Sequence, residues 1–271
     1  MSELTIDAGG VRLSGNEAGE GTPVVLLHGL TATRRYVVMG SRNLERGGHR
    51  VIAYDARGHG RSGAAPDRGA YGYDVLAADL LAVLDARGIE RAALAGASMG
   101  AHTAVRFALD HPDRAAALVL ATPAFDPEYY RDGLARWDAL SEGLREGGVE
   151  GFLAAYGEPR VPEQWRQTVR TVLRQRLSAH EHPDAVADAL HVVPRSTAFD
   201  AWEDLRAVDL PVTVVASRDE ADPEHPYEIG RRYAETIPGA ELVSEDPGKS
   251  PLAWQGGQLS RVIADTAALA S

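Results

Sequence analysis

Ser98 lies in Gly96-Ala97-Ser98-Met99-Gly100, a hydroxyl with a glycine two residues to either side. An apolar run, residues 92–95, precedes it, and residues 101–109 read as a helix. A serine so placed between strand and helix forms a nucleophile elbow. The turn strains the serine backbone, and side chains at the two glycine positions would collide with the strand or the helix. It lifts the hydroxyl above a sheet edge, at the positive end of a helix dipole. The chemistry this suits is acyl transfer, which also needs a base, an acid to orient that base, and amide donors for a developing oxyanion.

The elements around the serine alternate. Residues 4–7 and 11–14 alternate apolar and polar about Gly9-Gly10, a β-hairpin signal. Residues 24–27, 51–54 and 117–121 are continuous apolar runs, as expected of strands buried on both faces, and Val212-Thr213-Val214-Val215-Ala216 restores the strand pattern later in the chain. Helical spacing marks 73–87, 227–236 and a closing helix over 251–270 with Pro251 in its first turn; 241–243 reads as a last short strand. Such alternation predicts a mostly parallel sheet whose sites form at the carboxyl ends of its strands. From about 125 to 199 no strand pattern is present, and 137–145 and 163–177 read as amphipathic helices. The division expected is an α/β core, residues 1–124 and 200–271, with a helical cap inserted at 125–199 to roof a pocket.

His28-Gly29 after one strand, Asp55-x-Arg57-Gly58-His59-Gly60-x-Ser62 after the next and Gly96-x-Ser98-x-Gly100 after a third, in that order, resemble the α/β-hydrolase superfamily. Within it the chain is similar to the single-domain esterase and lyase branch with a helical cap, over nearly its whole length. The motifs are specific for the α/β-hydrolase fold and not for a substrate. The resemblance implies that the amides of Leu30 and Met99 form the oxyanion hole. His28 is expected to pack beneath the oxyanion loop, and with His225 it is also a candidate for contact with substrate. His59 and His102 read as structural. The family's acid follows the strand at 212–216, where Asp222, in Asp222-Pro223-x-x-Pro226, competes with Asp219; Asp126 is an outside candidate.

The departure comes at the base. The family carries its histidine in a late loop of the type Gly-His-Ser-Pro, whereas this chain reads Gly248-Lys249-Ser250-Pro251. Among 28 basic side chains Lys249 is the only lysine. A lysine is ordinarily a cation near neutrality and cannot take the serine proton unless it is desolvated. Three roles stay open for Lys249: a desolvated base paired with Ser98, a cation beside Asp222 or Asp219 that binds an anionic substrate group, or a solvent-facing side chain. His225, His180, His182 and His191 are the histidines that could substitute. His225 leads them, because its loop and Ser98 face one crevice.

The whole chain bounds these readings. A net charge of −11 without a basic cluster argues against nucleic acid, and no apolar run approaches the roughly 20 residues of a membrane helix. No secretory leader and no cysteine are visible, so the expectation is a cytoplasmic protein without disulfides. Neither metal-ligand spacing nor a dinucleotide fingerprint is present, so no metal or cofactor is expected. The expected partner is a small-molecule substrate, with a homo-oligomer open. Tyr129, Tyr130, Trp137, Phe152, Tyr156 and Trp165 could line an apolar pocket, and Arg131, Arg136 and Arg160 could meet an acid group. The leading function is hydrolysis of a small carboxylic ester, thioester or lactone through Ser98. The alternatives are a cofactor-free lyase or isomerase on the same fold, or a non-catalytic binder.

Overall fold

The computed structural model describes residues 1–128, 134–218, 222–246 and 248–270. Eight strands form one sheet: β1 Ser2–Ala8, β2 Val11–Ala18, β3 Thr22–Leu27, β4 His49–Tyr54, β5 Ala92–Ala97, β6 Ala115–Ala121, β7 Val212–Val215 and β8 Glu241–Val243. Their order is β1-β2-β4-β3-β5-β6-β7-β8. The β1–β2 hairpin pairs antiparallel and β2 joins β4 antiparallel; every pairing from β4 through β8 is parallel.

The helices are α1 Asn43–Arg46, α2 Tyr73–Ala86, α3 Met99–Asp110, α4 Leu134–Tyr156, α5 Glu163–Leu177, α6 Pro183–Val192, α7 Tyr227–Thr236 and α8 Gly256–Ala268. The central strands are apolar along most of their length because both faces are covered. Along β3, Val25 and Leu27 join a cluster with Leu80, Leu84 and Phe107 of α2 and α3. The alternate residues Val24 and Leu26 join Leu44, Leu259 and Ile263 of α1 and α8 on the other face. This is the period of two read through a doubly covered sheet.

The closing helix and the segment between β6 and β7 differ from the sequence reading. Pro251 precedes a short 3-10 turn, Leu252–Trp254, and α8 starts only at Gly256. The approach of Gly256 explains the break: a Cβ there would lie 2.0 Å from the Val38 carbonyl oxygen. Between β6 and β7 the chain holds a third helix, α6, that periodicity did not single out. α6 is buried on opposite sides: Ala185, Ala189 and Val193 face the main core, while Val186, Ala187 and Leu190 pack with Leu140, Leu144, Phe152 and Leu153 of α4. Its polar face is the narrow row Asp184, Asp188 and His191 at helical spacing, so the amphipathic signal was present but short.

Candidate active site

The elbow is set by steric necessity. Ser98 adopts φ 50° and ψ −115° between β5 and α3, a conformation L-residues rarely hold. A Cβ on Gly96 would lie 2.2 Å from the Gly100 carbonyl, and one on Gly100 would lie 2.1 Å from the Leu27 carbonyl oxygen. Both glycines are therefore required by close approach, and α3 follows with its first amide at Met99. Ser98 itself is half-buried, and no described residue hydrogen-bonds to its hydroxyl.

The loop after β3 lies against this turn. A Cβ placed on Gly29 would sit 3.6 Å from Ser98 Cβ, so the loop passes directly beside the serine. Neither the Leu30 nor the Met99 amide donates to another group among the described residues. Two free N–H groups next to a raised hydroxyl are the donors an oxyanion needs.

The loop after β4 braces the loop after β3. Asp55 accepts from the backbone amides of Arg34 at 2.9 Å and Arg61 at 3.1 Å and pairs with the Arg34 guanidinium. Ser62 donates to the Asp55 carbonyl at 2.6 Å and accepts from the Ser14 amide at 2.9 Å. Arg57 forks onto buried Asp79 of α2 through bonds of 2.7 and 2.6 Å. His28 Nε2 accepts from the Ala56 amide at 2.9 Å, and Nδ1 donates to the Gly29 carbonyl at 2.8 Å. Both ring nitrogens of His28 are thus committed to backbone, and the ring is buried. This corrects the expectation that His28 touches substrate: it holds the loop from below.

His59 lies between the carbonyls of Arg57 and Leu30, its ring 5.2 Å from His28 and 5.4 Å from His180. His180, between α5 and α6, accepts from the Gly60 amide at 2.8 Å and donates to the Thr31 carbonyl at 3.2 Å. The helical segment is thereby fastened to both loops. Burial, reinforced by the neighbouring His59, lowers His28 and His180 to about 3, so both are neutral where the protein works.

His102, one turn along α3 from Ser98, is also structural. Its Nε2 accepts from the amides of Ala124 and Phe125 at 2.9 and 3.0 Å, and its Nδ1 donates to the Tyr73 hydroxyl at 2.9 Å. Burial first, and then the charge of His225, hold His102 at about 3. His225 is within electrostatic reach of His102. Asp126 accepts from Trp202 Nε1 at 3.2 Å and from the Glu128 amide at 2.9 Å, which gives this outside candidate for the acid a bracing role.

The loops after β7 and β8 carry the remaining candidates. Asp222 is bonded through both oxygens to His225 Nδ1, at 2.8 Å each. The second ring nitrogen of His225 has no partner among the described residues. Burial alone would raise the Asp222 carboxyl, but the charge and hydrogen bond of His225, then Arg176 and the Glu224 amide, bring it below the ordinary carboxylate range. Glu224, next to His225, pairs with Arg136 of α4 at 2.6 Å, and Arg136 lies over the Tyr156 ring. Asp219 lies outside the described residues, as do Tyr129, Tyr130 and Arg131. Lys249 is exposed; its backbone amide donates to the Asp246 carbonyl at 3.0 Å, and it forms no ion pair among the described residues. Asp222 and His225 come together, and Lys249 is not part of their contact.

Of the aromatic side chains considered for a pocket, Phe152 is buried inside the helical segment and Trp165 is exposed. Two acting residues were not found from sequence. Glu245, just past β8, accepts from Ser217 Oγ at 3.2 Å, from the Arg218 amide, and from the Leu252 amide at 3.5 Å, which ties the two loops together. An acidic residue immediately after a strand was its only signal. The other is Arg176 of α5, whose Nε is buried without a hydrogen-bond partner.

The family profile described as alpha/beta hydrolase fold matches residues 22–182. The chain belongs to the α/β-hydrolase family. Its relatives include a protein named as a carbamate hydrolase, RutD, of Variovorax paradoxus, 32% identical over 224 residues that cover 82% of either chain. A 2-hydroxy-6-oxononadienedioate/2-hydroxy-6-oxononatrienedioate hydrolase of Pseudomonas putida is 32% identical over 248 residues, 86% of this chain and 82% of that one. Among solved structures, a thermophilic esterase of Thermogutta terrifontis, determined with malate bound, superposes with a TM-score of 0.79 at 26% identity over 98% of this chain and 97% of that one. This α/β-hydrolase is accordingly a hydrolase-type enzyme. Among its described residues no helix is long and apolar enough to cross a membrane.

Proposed function

We propose that the protein hydrolyses a small carboxylic ester, thioester or lactone, with Ser98 as nucleophile, His225 as base and Asp222 as the acid that orients it. The observation that carries this reading is the Asp222–His225 contact: the carboxylate takes Nδ1 and leaves Nε2 free, the polarity a serine-activating imidazole requires. In the family pattern the histidine stands where Lys249 is; here a histidine three residues beyond the acid takes that part. The helical segment, fastened by His180 and by Arg136–Glu224, serves as the cap over the site.

The steps follow from these roles. His225 Nε2 takes the Ser98 proton as Oγ attacks the acyl carbon, and the carbonyl oxygen becomes an oxyanion held by the amides of Leu30 and Met99. Collapse breaks the bond to the leaving group, which takes the proton from His225, and leaves an acyl group on Ser98. Water, deprotonated by His225, attacks this acyl group; the acid departs and Ser98 regains its proton. The relatives are named as hydrolases of a carbamate and of a dienedioate or trienedioate, so hydrolysis is common to their names while the substrate varies.

A fluorophosphonate probe tests the reading. Labelling of the wild type at Ser98, absent in Ser98→Ala, is expected. Turnover of short esters should fall on the order of 10⁶-fold in that variant. Absence of labelling between pH 6 and 10 would remove the hydrolytic reading and leave a non-catalytic pocket.

A further inference from the structure

Arg176 closes the last turn of α5. It lies one turn before His180, which is docked on the Thr31 carbonyl beside the oxyanion loop. Its guanidinium sits 5.2 Å from the centre of the Tyr36 ring, in the turn that follows the same loop. Its charge is also felt by Asp222, where it helps to hold the carboxyl in its ionised form. Arg176 therefore lies against the turn that follows the Leu30 loop and within electrostatic reach of Asp222.

No described acid accepts it. Its Nε is fully buried and has no hydrogen-bond partner, and it forms no ion pair among the described residues. Asp222, the acid whose charge it meets, is already committed through both oxygens to His225. The contrast within α5 is sharp. Arg174, two residues earlier, is exposed and forks onto Glu150 at 2.9 and 2.6 Å. A buried guanidinium donor without an acceptor is costly, and an anionic ligand removes that cost through a forked, charge-assisted contact that suits a carboxylate. Burial lowers the pKa of the group, and Asp222 and Tyr36 act in the opposite direction; guanidinium stays protonated in proteins.

The geometry points to Arg176 as the anchor for a carboxylate that the substrate carries away from its scissile bond, so the enzyme prefers anionic esters, thioesters or lactones to neutral ones of the same shape. This rests on the hydrolytic reading of Ser98. Two matched ester pairs test it. Methyl hexanoate and monomethyl adipate differ by a carboxylate for a methyl on the acyl side, and butyl acetate and 4-acetoxybutanoate differ likewise on the alcohol side. Binding is measured by calorimetry to Ser98→Ala, which makes the readout independent of turnover, and kcat/KM is measured on the wild type.

The expected result is that in at least one pair the anionic member binds at least about tenfold more tightly, and that Arg176→Met in the same background removes this preference while Arg176→Lys keeps part of it. Equal binding within both pairs overturns the proposal, and so does a preference that survives Arg176→Met. If Arg176→Met does not fold, Arg176→Gln takes its place, and equal binding by Ser98→Ala alone still overturns the proposal. If the preference is found but the wild type turns over none of the four esters, the anion site stands and the hydrolytic reading fails.

Discussion

The two halves of the site are built on different principles. The half around Ser98, at the ends of β3, β4 and β5, presents backbone: a forced turn at Ser98, a loop pressed against it, and amides without other acceptors among the described residues. The half around His225, in the loops after β7 and β8, presents side chains: Asp222 on His225, Arg136 on Glu224, and Glu245 across both loops. A backbone feature cannot be moved without moving strands. A side-chain role can pass to a neighbouring residue whenever a loop brings the same atom to the same place. The molecule shows a rigid half that keeps the family pattern and a half in which the base position of the family is occupied by an exposed lysine.

Removal of the proposed base should have the largest effect. His225→Gln should lower kcat/KM on the order of 10⁵-fold or more, with Ser98 labelling slowed in parallel, because nucleophile and base act as one unit. A loss below about tenfold would place the base elsewhere and undo the distinction. Asp222→Asn keeps the shape but turns an acceptor into a partial donor toward His225 Nδ1, and a loss of about 10⁴-fold in kcat is expected.

The rigid half is probed by acid. His28, His102 and His180 are held neutral at about 3, below the ordinary 6.5, so the unfolded chain binds protons there that the folded chain does not. With folded pKa values depressed, stability is unaffected above pH 6.5 and falls as pH drops from 6.5 toward 3, by about 1.4 kcal/mol per unit for each histidine. Denaturant titrations from pH 7 to 4 should show this steep loss, with unfolding in buffer between about pH 4 and 5. Replacing His102 with Gln should flatten the slope by roughly a third of the three-histidine total. The smallest effect is expected at Lys249: Lys249→Ala should change kcat/KM by less than about threefold, in keeping with an exposed side chain. A change of a hundredfold would return the base to the β8 loop.

What could be read from the residues follows the same division. Gly96 and Gly100 announce the elbow because no other residue fits so close to a carbonyl. The runs at Val24 to Leu27 and at Val51 to Tyr54 announce buried strands because both faces of the sheet are covered. His28 could be read as packing beneath its loop, while the backbone groups that its two ring nitrogens hold are visible only in three dimensions. Arg176 could not be singled out, since α5 also carries Arg166, Arg170 and Arg174, and only burial separates it from them. The pairing of Asp222 with His225 was legible as proximity in one loop, but not as a bond, because i to i+3 spacing outside a helix leaves side-chain direction undetermined.

Helix α6 has a further consequence. Because one side of it completes the main core and the other completes the packing of α4, residues 183–192 act as a keel shared by scaffold and roof. With the helical segment as the proposed cap, diversity in substrate choice is most easily introduced along α4 and α5, above the keel. Changes along α6 disturb two interiors at once, so a library built to redirect this enzyme should leave that helix alone and spend its variation on the two helices it carries.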